Sequence, residues 1–252
     1  LIGLFVAIVW LVSEVVPAGA LHSRVLPAAA LTSLAALTAT AFVQVGYWHD
    51  DLSLFEHALD GAKDNAFTRN KIGCALVQRG KLPEAIEQFQ LAIRLGPQSV
   101  DPQYNLGLVL QNTGRPEEAA EHYRAVLALN NQHANAHNNL GAILLDRGQY
   151  QEAKKHFQQA GGLAPNLVEA QINLGAACLR MGDYAEAIAA SQRALALDPR
   201  LLGCRQNIAT ALLAQGQLDE AISQLQFILS VDPGDKKARA ELAHALAQRH
   251  GH

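Results

Sequence analysis

Cysteine, methionine and, over the first 48 residues, charge are scarce in this 252-residue chain, and each scarcity removes a class of protein. Cys74, Cys178 and Cys204 stand far apart, so they form neither a disulfide framework nor a CxxC zinc or redox motif. They read as small buried hydrophobes. Met181 is the sole methionine and Leu1 opens the chain, so a fragment or a processed product is expected. The formal net charge is -3 and the pI about 6.4, which leaves no basic stripe to neutralise a phosphate backbone, so nucleic acid is not an expected partner. The phosphate-cradling P-loop and the GxSxG and HExxH motifs are all missing. His133 and His137 lie four apart but lack a third ligand, and Asp50 and Asp51 suit the first turn of a helix better than catalysis. No catalytic residue, metal, cofactor or small-molecule substrate is expected.

Charge is nearly absent from residues 1–48, where Glu14 and Arg24 stand alone. The 24 residues from Val25 to Trp48 carry no acidic or basic side chain. As a helix they extend about 36 Å, enough to cross a bilayer core of about 30 Å with some tilt. Residues 1–13 read as the end of a truncated span, and residues 14–24 as a loop broken by Pro17 and Gly19. The small and hydroxylated residues Ala35, Ala36, Thr38, Ala39 and Thr40 suit close helix packing or bonding across a helix interface. The alternative is a buried helix pair of a soluble protein. Arg24 before the span and two aspartates after it favour an integral membrane protein whose C-terminal part lies outside the cytoplasm.

Beyond residue 65 the chain repeats itself. Gly80, Gly114, Gly148, Gly182 and Gly216 follow one another at 34 residues, as do Ala85, Ala119, Ala153, Ala187 and Ala221. Gly73, Gly107, Gly141 and Gly175 keep the same interval, and Pro97, Pro165, Pro199 and Pro233 fall on the same register. Apolar residues at helical spacing, such as Leu106, Leu110, Ala119, Tyr123 and Val126, predict paired amphipathic helices. Gly107 and Ala119 are expected where neighbouring helices approach; the Gly80 series ends the first helix, and the prolines stop the second. Asn131 replaces an exit proline, Ser191 an aromatic, and Ala209 a glycine.

With Leu106-Gly107, Ala119, Tyr123 and Pro97 in these places, the sequence resembles the tetratricopeptide-repeat (TPR) family. The resemblance implies an all-α solenoid, a right-handed superhelix of helical hairpins. Five repeats are expected at 66–99, 100–133, 134–167, 168–201 and 202–235, preceded by a half-repeat over 49–65 that includes Phe55, Ala58 and Leu59. Residues 236–252 supply a polar capping helix and tail.

In a TPR superhelix the first helices line the concave groove. One position there repeats as Asn105, Asn139, Asn173 and Asn207, interrupted by Lys71 in the first repeat and closed by Glu241 in the cap. An amide offers an acceptor and two donors, so such a ladder is able to hold the backbone of an extended peptide without reading its sequence. It resembles the asparagine ladder of O-linked N-acetylglucosamine transferase, which implies a protein or extended-peptide partner. Asn70, Tyr104 and Asn138 complete the predicted groove set. With Asn70, Cys74, Asn105, Asn135 and Asn139 the groove lacks the Lys and Arg of TPR grooves that clamp a terminal carboxylate.

The order of two apolar segments, then residues 44–51, then Leu54, Phe55, His57, Ala58 and Leu59, then the repeats, is similar to the C-terminal part of polytopic membrane glycosyltransferases of the O-mannosyltransferase type. That likeness implies acceptor binding by the repeats of a longer parent, with the catalytic part lying outside this chain.

Overall fold

The computed structural model describes residues 32, 35–42, 52–53 and 64–250, and the chain divides into two units at residues 64 and 65. In the first unit, residues 35–42 are helical and exposed, with Leu37 at 56% and Phe42 at 82%. The hydroxyls of Thr38 and Thr40 donate to Ala35 O (2.9 Å) and Ala36 O (2.7 Å), bonds within their own helix. Among the described residues no helix is long and apolar enough to cross a membrane. Most of the predicted span, all of the truncated span and loop, and the half-repeat residues Phe55, Ala58 and Leu59 lie outside the described residues.

The described residues of the second unit form a solenoid of helical hairpins with eleven helices: α1 (Ala66–Gln78), α2 (Leu82–Leu95), α3 (Val100–Asn112), α4 (Pro116–Leu129), α5 (Ala134–Asp146), α6 (Tyr150–Leu163), α7 (Val168–Met181), α8 (Tyr184–Leu197), α9 (Leu202–Ala214), α10 (Leu218–Val231) and α11 (Lys236–His250). Local chemistry sets the boundaries. Asn65 Oδ1 accepts from Thr68 N at 2.9 Å and Asp235 Oδ1 from Ala238 N at 2.9 Å, each capping a helix start. Pro116 with Glu117 and Glu118 opens α4, where a missing N–H costs nothing and negative charge meets the positive helix end. Each first helix of a hairpin ends at a glycine in the left-handed region, with φ between 73° and 76° from Gly80 to Gly216. At Gly114 a Cβ has nothing within 4 Å, so only backbone strain opposes a side chain. Gly114→Ala is expected to lower stability by about 1 kcal/mol, read as a fall in the thermal midpoint.

Every helix packs on its sequence neighbour, and first helices of successive hairpins also touch, α1 on α3, α5 on α7 and α7 on α9. This approach on one side curves the array toward its first helices and makes theirs the concave face. Ala85, Ala119, Ala153, Ala187 and Ala221 are fully buried, as a close helix crossing demands. The Gly73 series faces a different neighbour from the one expected. A Cβ on Gly107 would lie 2.7 Å from Tyr123 Cε1, and one on Gly141 2.7 Å from Phe157 Cε1, so a ring of the same hairpin, not a helix backbone, fills the space. In the fourth hairpin Ser191 takes the ring's place, fully buried, and its hydroxyl has no partner among the described residues. Leu242 of α11 packs on the last cluster, around Ala209, Leu225, Ile228 and Ala238, and closes the solenoid.

Candidate functional site

The four asparagines lie half-buried on α3, α5, α7 and α9, one above the next. Their spacing does not reveal what they bond to. Asn105 Nδ2 donates to Asn70 Oδ1 (3.0 Å) and to Cys74 Sγ (3.4 Å) on the preceding first helix. Asn139 Nδ2 donates to the hydroxyls of Tyr104 (3.4 Å) and Tyr123 (3.3 Å), and Asn173 Nδ2 to Asn138 Oδ1 (3.0 Å). Each amide thus ties its repeat to the residue 35 positions earlier, a contact repeated in the cap by Gln206 Nε2 on Glu241 Oε2 at 2.5 Å. Ile172 stands at the corresponding place before Asn207 and offers no such bond. Asn207 therefore keeps its whole amide uncommitted among the described residues, and Asn173 keeps one N–H and its carbonyl. The donors of Asn105 and Asn139 are engaged.

Of the other predicted groove residues, Asn70 and Asn138 are buried beneath the amides they support. Tyr104 stacks at 5.9 Å from Tyr123 and 4.7 Å from His133, and burial pushes its hydroxyl pKa up. Lys71 is exposed, with Nζ 5.3 Å from the centre of the Phe67 ring. A cavity of about 230 Å³ lined by Phe67, Asn70, Asp101 and Pro102 opens at the start of this row.

A second polar row, inside the hairpins, is not among the residues predicted from sequence. Arg69 pairs with Gln88 (2.9 Å), Gln103 with His122 (2.6 Å), His137 with His156 (2.8 Å) and Arg205 with Gln224 (3.3 Å), each joining a first helix to its own second helix. The residues differ from repeat to repeat, so identity does not reveal them; the signal is a polar residue kept at 34-residue intervals within an apolar stretch. His137 Nε2 faces Asn131 O at 3.0 Å and donates to it, and in the neutral ring Nδ1 then accepts from His156. His133 does not meet His137; its Nδ1 caps α5 by accepting from Ala136 N at 3.1 Å. Burial, then the neighbouring His137, lowers the His156 pKa.

Between the third and fourth hairpins Lys154 Nζ reaches Asp183 Oδ2 (2.6 Å) and Glu186 Oε2 (2.5 Å). Cys178 stands beside them, and Cys178, Asp183 and Glu186 form the one described cluster with metal-like spacing. The Lys154 ammonium already meets both carboxylates. Its hydrogen bonds hold the Asp183 and Glu186 carboxyls below their ordinary values and raise its own pKa. Lowered carboxyl values mean stability that is present above the unfolded range near pH 4 and lost as pH falls through the folded values. The Asp183 side chain is 37% exposed, so the contribution belongs with screened surface pairs, about 1 kcal/mol or less. Lys154→Met should flatten the fall of the thermal midpoint between about pH 5 and pH 3 relative to wild type. An unchanged slope places the acid sensitivity elsewhere.

Family models described as tetratricopeptide repeat match residues 99–160, 132–200 and 179–229, and one described as TPR repeat matches residues 73–114. The chain belongs to the tetratricopeptide-repeat family. Among solved structures it is similar to YrrB, described as a TPR protein with an unusual peptide-binding site, at 20% identity and TM-score 0.69 over 74% of this chain and 96% of that one. It is also similar to MamA of Desulfovibrio magneticus RS-1, at 24% identity and TM-score 0.62 over 68% of this chain and 97% of that one. A tetratricopeptide repeat protein of Parabacteroides merdae has 19% identity and TM-score 0.62 over 71% of this chain and 72% of that one. These likenesses establish the fold. No match was found among curated proteins. None of these matches carries the likeness to glycosyltransferases, whose distinguishing residues fall almost wholly outside the described ones.

Proposed function

We propose that the chain is a scaffold whose concave groove holds an extended stretch of a partner polypeptide. The observation that carries this is the row of half-buried amides on successive first helices, with binding capacity left open at Asn173 and Asn207. An amide with a donor and an acceptor to spare meets the alternating N–H and C=O groups of an extended backbone, and a rigid solenoid presents such groups at fixed intervals. The description of YrrB as having a peptide-binding site agrees in kind. The test is titration of several unrelated extended peptides. Asn207→Ala should weaken all of them by roughly twofold to tenfold without reordering their affinities. Unchanged affinities remove Asn207 from the contact.

The same proposal includes a membrane anchor, supported by the uncharged run from Val25 to Trp48, with the repeats outside the cytoplasm as Arg24 and Asp50-Asp51 suggest. A fragment of residues 49–252 is expected in the aqueous phase of a detergent partition and the full chain in the detergent phase. Recovery of the full chain as a monomer without detergent would remove the anchor.

A further inference from the structure

Four of the five hairpins carry a large aliphatic residue near the end of the second helix: Ile93, Leu127, Leu195 and Leu229. Where this side chain belongs to a core cluster, it seals the seam to the next element. Leu195 packs on Ile208, Leu212 and Ala221 of the following hairpin, and Leu229 packs on the cluster that includes Ala238 of α11. The third hairpin has Gly161 at this place. A cavity of about 280 Å³ lies there, bounded by α6, α7 and α8, with Gly161, Gly162, Pro165 and Leu174 in its wall.

A second departure falls on the same cavity. In the other hairpins the residue equivalent to Gln171 is held by a polar partner on its own second helix, at Gln88, His122, His156 or Gln224. In the fourth hairpin that partner is Ala190. Gln171 is only 6% exposed, and its Oε1 instead accepts from Arg193 Nε at 2.8 Å. Its Nε2 lies 2.6 Å from where a Cβ on Gly161 would sit, and it has no hydrogen-bond partner among the described residues. Nε2 faces the cavity and is not sealed from it, so the site offers an open donor at the place where it lacks an aliphatic side chain. The terminal nitrogens of Arg193 beside it are likewise uncommitted among the described residues. The two other polar groups in the wall, Gln158 and Glu186, are already bonded to each other at 2.7 Å.

We propose that this cavity is a second binding site, separate from the amide row, that takes a leucine or isoleucine residue of a partner polypeptide. The aliphatic side chain takes, at this seam, the place that Leu195 and Leu229 take at theirs. The carbonyl of that residue accepts from Gln171 Nε2 and from Arg193. The site opens between the second helices, whereas Asn138 and Asn173 meet between the first helices, so it does not depend on the groove reading.

The experiment uses the full chain and two fluorescein-labelled peptides, Gly-Ser-Gly-Leu-Gly-Ser-Gly and the same peptide with alanine in place of leucine, titrated to millimolar protein by anisotropy. Wild type is expected to prefer the leucine peptide by roughly tenfold or more. Gly161→Leu, which restores the side chain of the other hairpins, should abolish that preference with helicity intact. The double variant Asn173→Ala with Asn207→Ala should keep it. No preference in wild type, a preference that survives Gly161→Leu, or one lost in the asparagine variant overturns the proposal. If Gly161→Leu does not fold, Arg193→Ala on the rim decides: a loss of roughly threefold or more in leucine-peptide affinity supports the site, and equal affinity overturns it.

Discussion

Gly141→Leu is expected to destabilise the repeat array severely. A Cβ at this position would come within 2.7 Å of Cε1 and 3.0 Å of Cδ1 of Phe157, closer than carbon atoms approach without a shift. Phe157 is fully buried, so its ring has no open space to enter. The remaining leucine atoms must then separate α5 from α6. Overpacking of this kind costs about 1–3 kcal/mol or more, a fall in thermal midpoint of roughly 2–12 °C for a unit of this size. Gly203→Ala is the control, because nothing lies within 4 Å of its Cβ position and its backbone is ordinary helix. It should hold the midpoint or raise it slightly. A Gly141→Leu protein that melts with wild type would refute the ring contact.

Replacing Asn105, Asn139, Asn173 and Asn207 together by alanine should lower affinity for extended peptides by roughly fivefold to a hundredfold, the sum of losses of about 0.5–1.5 kcal/mol at each of the two open amides, Asn173 and Asn207. The bonds between repeats add a stability effect that spacing does not announce. Loss of the Asn105, Asn139 and Asn173 amides removes contacts to Asn70, Tyr104 and Asn138, and each costs stability of that same order. Asn207→Ala removes no such contact. The paired variant at Asn105 and Asn139 is therefore expected to shift the thermal midpoint more than affinity, and the pair at Asn173 and Asn207 to shift affinity more than the former pair does. Circular dichroism melts beside peptide titrations separate the two effects. Equal affinity of the quadruple variant and wild type, with helicity intact, leaves the asparagines as ties between repeats and moves partner recognition away from the amide row.

The repeat architecture is legible in the sequence because each hairpin needs the same few residues at the same places. A glycine in the left-handed turn, as at Gly114, and an alanine at the tightest crossing, as at Ala119, have few substitutes, so they recur by identity every 34 residues. The asparagine row is legible for the same reason. Its partners are not, since Asn70, Tyr104, Asn138 and Gln206 share a position and the capacity to hydrogen-bond but not a residue type. The hairpin pairs are hidden likewise: Arg69 with Gln88 and His137 with His156 do one job with different chemistry.

By itself the sequence determined the fold class, the helix-turn punctuation and the row of amides, because these follow from local backbone needs and from a period that repeats without interruption. Only the tertiary structure decided what each amide touches, that a ring and not a backbone covers Gly141, and that Gly161, Ala190, Gln171 and Arg193 belong to one place. The physical reason is distance along the chain. Side chains 19 or 35 residues apart meet only after the helices pack, and a missing side chain becomes a cavity only when its neighbours hold their positions around it.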